Sequence, residues 1–67
     1  MSNNIVIGQR LKSLRGGKTI ETVATDVGIS PSALGMYEIG LRVPRDEIKV
    51  KLAQYFNTTV EAIFFAQ

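Results

Sequence analysis

Apolar side chains recur along this chain at helical spacing, and no stretch sustains the alternation of a strand. Ile7, Leu11 and Leu14 fall at i, i+4 and i+7, which predicts a first helix with Arg10, Lys12 and Arg15 off its inward face. Gly16-Gly17 ends that run, as glycine does past a helix C-terminus. Thr19 is an N-cap for a second helix whose inward residues are Ile20, Val23, Ala24 and Val27, and Gly28 closes it. Ser30 is the next cap, with Pro31 on the first helical position, where its missing N–H has no intrahelical partner to lose. Leu34 and Tyr37 face inward from this third helix, and Gly40 stops it. The loop "LRVP" leads to a fourth helix from about Arg45 or Asp46, with Asp46 and Glu47 in its favourable first turn and Ile48, Leu52 and Phe56 on one face. Thr58 and Glu61 form a capping-box pair for a short fifth helix carrying Val60, Ile63 and Phe64. With no repeat, low-complexity tract or linker, the pattern predicts an all-α fold: one compact five-helix domain over residues 1–67.

The second and third helices are short and separated by about three residues that include a glycine, which is the helix-turn-helix arrangement, here over about residues 19–38. Ala24 is small where the two helices would cross, and Gly28 sits where the turn needs a positive φ. In such a motif the first helix braces the second, and the second enters a DNA major groove.

Composition narrows the chemistry. The 67 residues contain neither cysteine nor histidine, which removes disulfides, thiolate metal sites and histidine-based catalysis. The six acids form no ligand-like cluster, and "RGGK" is too short for a phosphate-binding loop, so no enzyme, metal or cofactor is expected. There is no long apolar run and no secretory leader pattern, so a cytoplasmic protein is expected. The net charge of +2 says little, but its distribution says more. Arg10, Lys12, Arg15 and Lys18 precede the first acid, and Arg42 and Arg45 follow the helix-turn-helix.

The stretch "TIETVATDVGISPSALGMYEIGLRVP", with "IGQRLKSLR" before it and "LAQYFNTTVEAIF" after it, resembles the lambda-repressor/Cro-like helix-turn-helix family, often called the XRE family. The resemblance covers nearly the whole chain. It implies a five-helix DNA-binding domain, usually dimeric, of the kind found in transcriptional regulators of bacteria, phages or mobile elements. Helix 31–38 would then dock in the major groove of double-stranded DNA. Positions matching the family's DNA-facing ones are Lys18, Thr19, Ile20, Ser30, Pro31, Ser32, Ala33, Gly35, Met36, Arg42 and Arg45. Arg15 and Glu38 match an arginine–glutamate pair that ties the first helix to the end of the recognition helix in family members, and a partly buried salt bridge is expected between them.

The chain departs from the family at the base-reading positions. Ile20 stands where a polar residue, commonly glutamine, is usual. None of Pro31, Ser32, Ala33, Gly35 or Met36 is an Arg, Lys, Asn or Gln, the side chains that make bidentate contacts to purines. Either the small and apolar residues meet thymine methyls at close range, or base readout is weak and specificity is low or comes from DNA shape. At the other end, "AIFFAQ" places Phe64 and Phe65 side by side. Adjacent helical residues diverge by about 100°, so a ring is left over for a dimer interface, with Phe64 and Phe65 its candidates. The expected function is therefore a dimeric DNA-binding regulator, in the first instance a repressor. The competing reading is a protein-interaction module that keeps the helix-turn-helix scaffold and binds a regulatory protein, with weak or non-specific DNA binding.

Overall fold

In the computed structural model, which describes residues 3–66, five helices follow one another. They are α1 (Asn3–Arg15), α2 (Ile20–Val27), α3 (Pro31–Glu38), α4 (Asp46–Tyr55) and α5 (Glu61–Phe65), the last wound as a π-type turn. Each boundary has a local cause. The Thr19 hydroxyl accepts from the Thr22 N–H and opens α2; the Ser30 hydroxyl accepts from the Ala33 N–H and opens α3, with Pro31 in its first turn. Gly28 ends α2 at φ 89°, and its N–H and that of Ile29 both donate to the Ala24 carbonyl, which turns the chain sharply toward α3. At the end of α3 the Leu41 N–H reaches back to the Met36 carbonyl.

The end of α4 differs from the sequence expectation. Asn57 takes the left-handed conformation at φ 57° and the Thr58 N–H donates to the Ala53 carbonyl, so Thr58 closes α4 instead of opening α5. The cap of α5 is Thr59, whose hydroxyl accepts from the Ala62 N–H at 3.0 Å. The Thr58–Glu61 capping box does not form because the last helix starts one residue later than the box requires, which puts Thr59 at the cap position.

The core draws on every helix: Ile7 and Leu11, Val23, Ala24 and Val27, Leu34, Ile48, Leu52 and Ala53, Ile63 and Phe64. Leu14, expected inward, is 40% exposed. The buried stripe of α1 is rotated toward Gly8, so Gly8, Leu11 and Arg15 at i, i+3 and i+7 occupy the face toward the body of the protein. Leu14 instead lines a shallow groove with Val6, Gln9, Arg10, Thr58 and Ala62. The rotation comes from the seating of α1 on the C-terminal end of α3. A Cβ on Gly8 would come within 2.3 Å of the Glu38 carbonyl oxygen and 2.6 Å of that of Tyr37, so only glycine lets the two backbones approach this closely.

The C-terminal segment is held by side chains. The Arg10 guanidinium donates to the carbonyls of Ile63 at 2.9 Å and Ala66 at 2.7 Å, satisfying acceptors that a short terminal helix leaves open. The side chain of Lys49 is mostly covered, with its ammonium 5.6 Å from the Phe64 ring centroid and 5.1 Å from that of Phe65.

Gly8→Ala is expected to lower stability by about 2–3 kcal/mol, roughly 10–20 °C in Tm by circular dichroism, because backbone atoms must move apart. An unchanged Tm would contradict the α1–α3 contact.

Candidate nucleic-acid interface

The geometry of the site begins with an ion pair behind it. Glu38, the last residue of α3, is 8% exposed, and the Arg15 guanidinium grips its carboxylate in two places. Arg15 Nε donates to Oε2 at 2.6 Å and Nη2 to Oε1 at 3.0 Å, while Nη1 donates to the Lys18 carbonyl at 2.7 Å. This parallel fork is the geometry that makes arginine–carboxylate pairs directional. The hydrogen bond to Glu38 raises the Arg15 pKa above its ordinary value, with desolvation opposing it. Among the described residues no buried side-chain polar atom lacks a partner. One residue therefore joins the end of α1, the loop into α2 and the end of α3.

With α3 held from behind, its other face is free. Leu34 and Glu38 point inward, and Tyr37 packs against the core. Pro31 and Ser32 are exposed, and Ala33, Gly35 and Met36 are partly exposed. Beside this face lies a hollow between the helix-turn-helix turn, α3 and the loop into α4. Ser30, Ala33, Arg42 and Arg45 line it together with Gly28, Ile29, Tyr37, Val43 and Ile48. The structure thus gathers several of the sequence candidates at one place. Arg42 is exposed and makes no ion pair with another described residue. Arg45 carries only a surface pair with Glu47 at 3.0 Å, which contributes little and exchanges readily for another anion.

The candidates at the start of α2 are placed differently. Thr19 is exposed, but its hydroxyl is engaged in capping and in a hydrogen bond to the Thr22 hydroxyl. Ile20 is partly buried against the core, at the head of the stripe that Val23, Ala24 and Val27 continue. Lys18 is turned to the opposite end of α2. Its ammonium donates to the Tyr55 hydroxyl at 3.0 Å and lies 4.9 Å from the ring centroid, and Tyr55 in turn donates to Asp26 at 2.8 Å. The Tyr55 hydrogen bond raises the Lys18 pKa. Since the folded value is the higher one, this link is intact below the ordinary lysine range and is lost only as pH rises through the raised value.

Phe64 and Phe65 separate as their spacing requires. Phe64 is 3% exposed and closes the core, so its ring is not available to a second molecule; Phe65 is 60% exposed. Two contributors escaped the sequence reading. Gly8 carries a legible signal, a glycine inside a helix with no cap role. The Lys18–Tyr55–Asp26 link carries none, since it joins residues far apart in the chain. Among the described residues no group of acids could hold a metal ion, and no helix is long and apolar enough to cross a membrane.

Comparison with known proteins bears on this geometry. A family model described as Helix-turn-helix matches residues 9–63. The restriction-modification controller protein C.AhdI from Aeromonas hydrophila is similar at a TM-score of 0.86 and 30% identity, over 96% of this chain and 100% of that one. The SOS-response transcriptional repressor LexA from Eubacterium rectale is similar in fold at a TM-score of 0.88 and 24% identity, over 97% of this chain and 71% of that one. No curated protein sequence matches significantly.

Arg15→Ala is expected to lower the Tm by several degrees, and to leave the protein at least as unstable as the Arg15→Ala/Glu38→Ala double variant, because the single change strands a buried carboxylate. A single variant as stable as the wild type would mean that the bridge does not hold α3.

Proposed function

The chain belongs to the XRE-type helix-turn-helix family, and from that premise we propose that it is a DNA-binding transcriptional regulator that seats α3 in the major groove. The observation that carries this reading is the outward face of α3 beside the exposed Arg42, which pairs with no acid among the described residues, with the helix held from behind by Arg15 and Glu38. Phosphate contacts fall to Arg42 and Arg45, to the Ser32 hydroxyl, and to the N-terminal end of α3. Lys18 has a smaller share, because Tyr55 holds its ammonium. Neither catalysis nor a cofactor enters this reading, and the domain comprises residues 1–67.

We read the active species as a homodimer joined at the C-terminal end. Phe65 supports this: its exposed ring borders a hollow lined by Thr59, Glu61, Ala62 and Ala66. A dimer that covers an operator blocks access to it, and a repressor is the simplest regulator of that kind. A second reading, docking to a regulatory protein, is favoured by one observation, the two exposed apolar residues Ile39 and Leu41 beside α3.

Selection of binding sequences from a random duplex pool is expected to return a two-fold symmetric site with half-sites about one helical turn apart. Arg42→Ala should weaken binding to all sequences alike and reduce the slope of log affinity against log salt by about 0.9. Absence of any binding at low salt would favour the protein-docking reading. Phe65→Ser should convert a dimer to a monomer by light scattering; a wild-type monomer at tens of micromolar would rule out the C-terminal interface.

A further inference from the structure

We propose that α3 recognises thymine through its 5-methyl group, and that Gly35 is the position that determines this specificity. The proposal rests on the reading of α3 as a major-groove helix. Ser32, Gly35, Met36 and Ile39 fall at i, i+3, i+4 and i+7 and so share one face. That face is opposite the inward pair Leu34 and Glu38. Ile39 is 70% exposed at its far end. Only Ser32 has a polar side chain there, and a hydroxyl accommodates any base. The longer polar residues of α3 are committed elsewhere, Glu38 to Arg15 and Tyr37 to the core. No side chain on this face can make a bidentate contact to a purine edge. The apolar group that bases present in the major groove is the thymine methyl, and it is what an apolar face can select.

Gly35 gives this face its shape. It has an ordinary helical backbone, being absent from the positive-φ positions. A Cβ built on it would meet nothing within 4 Å. The fold therefore makes no demand for glycine here, in contrast to Gly8, where a Cβ would collide with backbone. Glycine inside a helix is nevertheless unfavourable relative to alanine. What the missing side chain leaves is a notch beside Ser32, open to whatever lies against α3. A methyl group fits that notch, and its absence of bulk lets the helix backbone lie closer to the base pairs than an ordinary helix would.

The test uses the full chain and a duplex carrying its selected site. Replacing single thymines by deoxyuridine removes the methyl and leaves the hydrogen-bonding edge unchanged. At one or two positions per half-site the affinity is expected to fall about fourfold, the effect of one buried methyl-sized group. Gly35→Ala is expected to raise the Tm and yet to weaken binding to the selected site about tenfold or more, since the added methyl fills the notch. A uracil series with undiminished affinity would overturn methyl readout while leaving DNA binding in place. Undiminished affinity of Gly35→Ala would overturn the role of the glycine. No binding to any duplex at low salt would overturn the DNA-binding reading and this proposal together.

Discussion

The contact between α1 and the C-terminal end of α3 is the constraint on which the arrangement depends. At Gly8 the two backbones meet with no room for a Cβ. Two turns further along α1, Arg15 holds the carboxylate of Glu38 in a two-point grip. The first is a steric condition and the second an electrostatic one, and they act on the same end of the same helix. A salt bridge as enclosed as this one gives direction more surely than it gives stability, since both ions lose their hydration. Its consequence is that α3 has a fixed rotation about its axis, and therefore a fixed outward face.

The other helices support that orientation. The turn at Gly28 and the cap at Ser30 set where α3 begins. The loop through Pro44, which is buried, brings Arg42 back beside the turn. The terminal helix packs Ile63 and Phe64 under α1 and is secured there by Arg10. The basic side chains thus divide by role. Arg10 and Arg15 are structural, Lys18 and Lys49 lie against aromatic rings, and Arg42 and Arg45 stand by α3. A net charge of +2 conceals this partition, because four of the six basic groups named here are engaged by the fold.

On the proposed reading, a surface that binds DNA without long polar side chains on its reading helix has a simple physical logic. Hydrogen-bonding readers need reach and can adapt; small and apolar ones need proximity and a rigid mount. The doubly anchored α3 is such a mount. The notch proposed at Gly35 makes sense only on a helix whose distance from its target is set by something other than its own side chains, and the phosphate contacts proposed around α3 and Arg42 are suited to set it.

Much of this was legible from the order of the residues. Helix starts and stops depend on chemistry within a few positions, so Thr19, Ser30, Pro31, Gly28 and Gly40 could be read directly as caps and breaks. The all-α class and the helix-turn-helix followed from apolar spacing. The Arg15–Glu38 pair was accessible only by resemblance, since nothing local ties two residues 23 apart. What the tertiary structure alone decided was rotation and competition. It turned α1 so that Gly8 and Arg15, not Leu14, face inward, because backbone contact with α3 outweighed the burial of one leucine. It assigned Thr58 to ending α4 and Thr59 to starting α5, since the path of the chain out of α4 sets where the next helix begins. It also drew Lys18 onto Tyr55 and Lys49 onto Phe65, partners that no spacing in the chain announces. Local rules set where each helix lies in the sequence; the packing of helix on helix set which way each one faces, and the function depends on the facing.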